Sequence, residues 1–263
     1  MRTVLSTAFL ALCLALRVPA DTILVSNGTP RATVVTAAEP TAVAQYAAEE
    51  LIDHLERATG VRLPILAENE PQAATGTRVY VGHCAAAGAI GIAPGREPVE
   101  SCTLKTVGQS FFIVGDDDGE DPLSSSTRAG TLWGVYELLE TELGVRWIWP
   151  GETGVVVPAA TTVKISQQNR TISPGLIRRN LRPGLSLRGD MSNGFTPAGL
   201  KAYAKSQNIF LRRHRMGSPL PLRYGHAFNT FWERYGKEHP DWFQLLDNGK
   251  RGPGSAHARY SMC

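Results

Sequence analysis

The chain has 263 residues, of which 43% are hydrophobic and 19% charged, with a formal net charge of +3. That balance excludes a disordered chain, a collagen-like repeat and a long coiled coil. The longest apolar run, Val4 to Leu16, has about 13 residues, short of the roughly 20 that a membrane-spanning helix needs.

Arg2 gives a positive start, Val4 to Leu16 an apolar stretch and Val18-Pro19-Ala20 a small-residue exit. Residues 1–20 therefore read as a cleavable secretory signal ending near Ala20, which predicts a secreted or periplasmic protein. Cys13 follows Leu12, where a lipoprotein site needs a small residue, so a lipid anchor is not expected. Cleavage leaves Cys84, Cys102 and Cys263; a Cys84–Cys102 bridge and two separate buried thiols both fit. His83-Cys84 has no second ligand pair at zinc-site spacing, and neither a metal nor a cofactor is expected.

Thr22–Ser26 and Ala32–Thr36 are β-rich runs around the turn Asn27-Gly28. From Pro40, Val43, Ala47, Leu51 and Leu55 recur every four residues, predicting a helix that Gly60 ends near Thr59. Arg62–Leu66 and Arg78–Gly82 read as strands, and Thr103–Val107 and Phe111–Val114 as a hairpin across Gly108-Gln109-Ser110. The acidic run from Asp116 to Asp121 lacks the glycine and glutamate positions of an EF-hand loop and reads as a solvated loop.

A second helix is predicted from about Thr127 to Leu143, followed by closing strands at Val145–Trp149 and Thr161–Ile165 with Pro150-Gly151 turning between them. Two helices and about eight strands predict an α/β domain over 21–166, a small sheet with helices on one face. Beyond it, Gly175–Asn180 reads as a strand, Pro197–Ile209 as a helix, Phe210–Arg213 and Tyr224–Phe228 as strand or loop, and Phe231–Gly236 as a helix start.

Charge changes sign along the chain. Residues 1–169 carry 11 Lys and Arg against 19 Asp and Glu, a net of −8; residues 170–263 carry 16 against 5, a net of +11. This places a boundary near 166–172. The basic part is too short and irregular to close a large core, and reads as part of a bigger domain. With its abrupt end at Ser261-Met262-Cys263, the chain is expected to be a fragment.

Three segments carry a family resemblance. The first is Ala47-Ala48-Glu49-Glu50-Leu51 through Thr59-Gly60-Val61-Arg62-Leu63-Pro64-Ile65. The second is Arg128-Ala129-Gly130-Thr131-Leu132-Trp133-Gly134-Val135-Tyr136-Glu137, running on to Leu143-Gly144-Val145-Arg146-Trp147 and Pro150-Gly151. Both resemble the non-catalytic N-terminal domain of bacterial α-glucuronidases and the equivalent second domain of family 20 β-hexosaminidases. The third, Gly225-His226-Ala227-Phe228, His239-Pro240-Asp241-Trp242-Phe243 and Gly249-Lys250-Arg251, resembles the start of the large domain in exported proteins carrying the domain of unknown function 4838.

The resemblance spans about 40–263. It implies a small α/β domain followed, over 170–263, by the first part of a (β/α)-barrel-like domain, truncated here, and carbohydrate processing outside the cytoplasm. Glycosidases use two carboxyl groups flanking the scissile bond, drawn from the ends of several barrel strands, so the catalytic pair is expected after Cys263.

Within the basic part the acids are Asp190, Glu233, Glu238, Asp241 and Asp247, and no catalytic pair is named among them. Arg178 and Arg179 end the candidate first barrel strand, and Arg212, Arg213 and Arg215 follow the candidate helix. A guanidinium binds a carboxylate bidentately, which suits an acidic sugar; salt bridging to the acidic N-terminal domain is the alternative use. His226 is the leading candidate for substrate contact, beside a buried structural histidine as the alternative. Trp232 is a candidate sugar platform, with Trp242, Trp133, Trp147 and Trp149 read as packing residues.

The substrate-binding set is thus Arg178, Arg179, Arg213, His226 and Trp232, and the expected partner a carbohydrate. A glycoside hydrolase leads, with a non-catalytic carbohydrate-binding protein as the alternative. Nucleic-acid binding by the basic part is disfavoured by the signal peptide and the lack of a recognised motif.

Overall fold

The computed structural model describes residues 21–74, 76–181, 196–220 and 230–252. They fall into two compact units, one ending at Pro219 and one beginning at Leu220. In chain order the first unit has β1 (Thr22–Ser26), β2 (Thr29–Pro30), β3 (Ala32–Thr36), α1 (Ala42–Thr59), β4 (Ile65–Ala67), β5 (Thr77–Val81), α2 (Ala85–Ala89), β6 (Cys102–Val107), β7 (Ser110–Gly115), α3 (Gly130–Thr141), β8 (Arg146–Trp147), β9 (Val155–Val156), β10 (Val163–Ile165), β11 (Asn169–Ile172) and α4 (Pro197–Arg213).

The main sheet has six strands in the order β11-β6-β7-β5-β3-β4. Strands β7, β5, β3 and β4 run parallel, while β6 and β11 join antiparallel at one side. The β6–β7 hairpin pairs Val107 with Ser110, as its turn predicts. Strand β11 lies inside the 166–172 stretch where composition changes. A three-stranded sheet, β10-β1-β2, and the short pair β8–β9 complete the unit. The turn at Pro150-Gly151 therefore returns the chain to Val155–Val156, while Val163–Ile165 pairs with β1.

Helix α1 forms as its periodicity predicts. The Thr41 hydroxyl accepts a hydrogen bond from Ala44 N–H, and Gly60 ends the helix at φ 71°, a left-handed cap that glycine adopts without strain. Helices α1 and α3 pack together on one face of the sheet, burying Leu51, Leu55, Leu132, Trp133 and Tyr136 against Val34, Val79, Phe111 and Ile113.

Packing on one face is only half of the arrangement. The opposite strand positions Val35, Tyr80, Phe112 and Val114 are also buried, with Ala87 and Ile92 over them. Every residue of β7 is buried, as a strand covered on both faces requires. Helix α3 approaches the sheet closely where Gly115 and Gly130 meet: a Cβ on Gly130 would overlap the Ser101 carbonyl.

The strand expected at Gly175–Asn180 and the strand or loop expected at Phe210–Arg213 both differ in the structure, and Tyr224–Phe228 lies outside the described residues. Among the described residues, Gly175–Asn180 contributes a single antiparallel bridge between Arg179 and Gly217. Phe210–Arg213 is the last turn of α4, whose first turn is capped by Thr196. The acidic run is not a free loop either: Asp117 and Asp118 accept backbone N–H bonds from Thr131 and Arg128 at 2.9 and 2.6 Å, and Arg128 pairs with Asp116 at 3.0 Å. These carboxylates cap and flank the start of α3. Burial pushes the Asp117 carboxyl up to about 7.

Trp149 is 63% exposed rather than packed, because it stands beyond the end of β8. The described part of the second unit holds α5 (Phe231–Tyr235) and a turn at Pro240–Trp242. There Trp232 packs edge-on against Phe243 at 5.0 Å, whereas Trp242, expected in a core, is 42% exposed and stacks on His239 at 4.1 Å. No helix among the described residues is long and apolar enough to cross a membrane.

Candidate functional site

The last turn of α4 and the residues just after it carry Arg212, Arg213 and Arg215 into the first unit. Arg213 forks onto Glu50 of α1 with two bonds of 3.1 Å, and lies 5.7 Å from the Trp147 ring centroid. Burial opposes its charge, but the bonds and charge of Glu50 outweigh that and hold the guanidinium protonated. Arg215 reaches Glu137 and Glu140 of α3 at 3.1 and 2.6 Å.

Among the described residues no carboxylate bonds to Arg212. It is 1% exposed and donates to the carbonyls of Pro122, Thr127 and Met216 at 2.9–3.0 Å, while its guanidinium lies 4.4 Å from the Trp133 ring centroid. Burial lowers its pKa to about 10, opposed by the nearby Glu100 charge. Backbone carbonyls and the indole face substitute for a counter-ion.

Arg179 is fully engaged. Its Nη2 donates to Glu100 Oε2 at 2.6 Å, its Nη1 to Leu176 O and its Nε to Arg215 O. Arg178, one residue earlier, is half-buried. Arg170 also pairs with Glu137 at 3.1 Å.

Between these groups lies a cleft of about 290 Å³. Trp133, Ile172 and Pro174 give it apolar walls, and Glu100, Glu137, Arg179 and Arg215 supply charged groups. His214 closes one side; its Nε2–H donates to Trp147 O at 2.8 Å, and its ring packs 4.5 Å from Phe210. Behind it, His54 is fully buried with Nδ1–H on Glu50 O and Nε2 accepting from Trp147 Nε1–H. Burial lowers the His54 pKa and keeps the ring neutral.

The structure engages Arg179 with Glu100 and Arg213 with Glu50, at separate places in the first unit, and leaves Trp232 in the second unit. His226 and Asp190 lie outside the described residues. Glu50, Glu100 and Glu137, the carboxylates that use the arginines, were not singled out by sequence. They stand 163, 79 and 78 residues from Arg213, Arg179 and Arg215, and no local pattern joins them. Cys84 and Cys102 are both free thiols, and burial raises the pKa of each. No group of three metal-ligating side chains occurs among the described residues.

No protein-family model matches the chain, and no curated protein sequence matches it. Solved structures do. A family GH115 4-O-methyl-α-glucuronidase with specificity for decorated arabinogalactans aligns over 74% of this chain and 25% of its own, at 17% identity and a TM-score of 0.50. A Streptomyces plicatus β-hexosaminidase aligns over 56% of this chain and 23% of its own, at 19% identity and a TM-score of 0.29. A GH138 enzyme targeting pectin rhamnogalacturonan II aligns over 42% and 13%, at 16% identity and 0.28. All three are glycoside hydrolases, and this chain spans a quarter or less of each. The likeness to the glucuronidase is one of fold.

Proposed function

We propose that this chain is the N-terminal part of an exported glycoside hydrolase acting on complex glycans, including glycans with acidic sugars. The observation that carries the reading is the shared fold with the α-glucuronidase over 74% of the chain. The signal-like residues 1–20 and the barrel-like reading of 170–263 support it. In this proposal the small α/β unit is a scaffold and contributes no catalytic carboxylate.

A second reading, carbohydrate binding without turnover, is favoured by one observation. Glu50 and Glu100 are buried carboxylates spent on arginines, and the described acids of the basic part, Glu233, Glu238, Asp241 and Asp247, are all exposed. Incubating the natural secreted protein with acidic and neutral glycans separates the two. Released sugar is the expected result; binding with no product from any glycan would replace hydrolysis by the second reading. N-terminal sequencing of that protein is expected to begin at Asp21.

A further inference from the structure

A second cleft, of about 340 Å³, lies where the loop between β7 and α3 meets the C-terminal part of α4 and the segments 179–181 and 216–217. Its size falls within the about 300–1,000 Å³ typical of ligand pockets. All of its lining residues belong to the first unit.

Hydrogen bonds fix its walls. Arg212, 1% exposed, donates to Pro122 O and Thr127 O of the loop and to Met216 O, all at 2.9–3.0 Å. Ser218 N–H donates to Ser125 O at 2.6 Å, and Arg179 and Gly217 exchange backbone bonds of 2.7 and 2.8 Å. Four pieces of chain far apart in sequence thus hold one concave shape in the absence of any ligand. Such preorganisation lowers the ordering cost of binding.

The rim is different, because its polar side chains are unspent. Asn180 and Asn208 both line the cleft and are exposed, and the amides of both bond to nothing among the described residues. Asp121 gives one carboxylate oxygen to Leu123 N–H at 2.9 Å, which leaves the other to the cleft. Leu181, 55% exposed, and Leu211 add apolar surface to the same lining. A few convergent polar groups beside apolar surface, on a fixed frame, make a ligand site rather than scattered surface polarity.

The chemistry of the rim selects the ligand. Each amide donates and accepts, and the carboxylate accepts, a set matched by neighbouring hydroxyls. An anion is disfavoured. Arg179 and Arg212 line the cleft, but every guanidinium nitrogen of both is already engaged, and a ligand carboxylate would face Asp121. A metal ion is disfavoured too, since no group of three metal-ligating side chains occurs among the described residues.

We infer that this cleft binds a single neutral sugar unit, its hydroxyls held by Asn180, Asn208 and Asp121 and its apolar face set against Leu181 and Leu211. The inference rests on the carbohydrate reading for its ligand class, and it is independent of whether the protein hydrolyses anything. It assigns neutral sugars to this cleft even where the glycan processed elsewhere is acidic.

The test follows the side-chain amide resonances of Asn180 and Asn208 in the full chain, each identified by its loss in Asn180→Ala or Asn208→Ala. The titrants are D-galactose, D-xylose and D-glucuronate. At least one neutral sugar should move both signals saturably and with one common affinity. Glucuronate should bind about fivefold more weakly, the effect of roughly one like-charge contact in water. Asn208→Ala, on the exposed side of α4, should weaken the neutral sugar about three- to tenfold through loss of one hydrogen bond, read on the Asn180 signal. Asp121→Asn keeps an oxygen for Leu123 N–H and should close the gap between glucuronate and the neutral sugar.

Amide signals unmoved by every sugar would overturn the site and leave the two asparagines as solvated surface. So would signals that titrate with different affinities, an affinity unchanged in Asn208→Ala, or glucuronate binding as well as the neutral sugars to the unaltered chain. In each case glycan turnover by the protein would still stand or fall on its own assay.

Discussion

Helix α1 buries ten side chains, eight of them aliphatic, whereas α4, only one residue shorter, buries Leu200 and two arginines. The first helix is held by the apolar stripe it lays on the sheet. The second is held at its C-terminal end, where Arg213 grips Glu50 and Arg212 sits under Trp133 among three carbonyls. Cations also suit the last turn of a helix, where unpaired carbonyls leave a partial negative charge. Two helices of similar length thus dock by different physics: one by area removed from water, the other by neutralising charges that have left water together.

The comparison can be broken from either side. Leu51→Ala removes a side chain 1% exposed at the centre of the α1 face, and should cost about 4 kcal/mol in denaturant unfolding. Arg213→Met should cost about 3 kcal/mol, because it leaves Glu50 as an uncompensated charge at a site where both partners are about nine-tenths buried.

The third prediction concerns acid. His54 is neutral in the fold with its pKa lowered, so the folded state binds fewer protons than the unfolded state below about pH 6.5. The stability it confers is complete above that pH and lost as the pH falls through it. His54→Gln should flatten the acid limb of Tm against pH; an unchanged limb would remove His54 as its cause.

Asp117 acts with the opposite sign. Its folded pKa of about 7 lies above the unfolded value, so its ionisation costs stability as pH rises from about 4 to about 7. Asp117→Asn should therefore raise Tm more at pH 8 than at pH 4. The smallest effect belongs to the exposed pair of Arg62 and Glu56, 2.6 Å apart with 60% and 43% of their side chains exposed. Arg62→Ala should change stability by less than about 0.5 kcal/mol.

The same contrast explains what was legible in the sequence. Val43, Ala47, Leu51 and Leu55 announce α1, and Thr22–Ser26 and Ala32–Thr36 announce β1 and β3, because burial there repeats with the period of the element. Helix α2 leaves no signal in the sequence: Ala85-Ala86-Ala87-Gly88-Ala89 is too short and uniform to show a face. Strand β4 starts three residues later than Arg62 because Pro64 has no N–H to add to a ladder, although its carbonyl accepts from Val34.

Helix α4 runs four residues past its expected end at Ile209. Phe210-Leu211-Arg212-Arg213 has no helical stripe of its own, and it stays helical because Glu50, Thr127 and Pro122 wait for its guanidinia. Charge inversion showed that the two parts carry complementary ions, while the particular pairs depend on contacts 78 to 163 residues apart. Glu100 is the hardest to foresee: it stands at φ 54° between Val99 and Ser101, and only the folded loop turns it toward Arg179.

The most direct measurement is a double-mutant cycle on Glu50→Gln and Arg213→Met, read by urea unfolding of the full chain. If the arginine–carboxylate fork anchors α4, the two substitutions will be coupled by about 2 kcal/mol or more, and the double variant will be more stable than the single losses added together. Additivity within about 0.5 kcal/mol would contradict the account. It would mean that α4 is held by something other than the fork, and that Arg213 is available to a ligand after all.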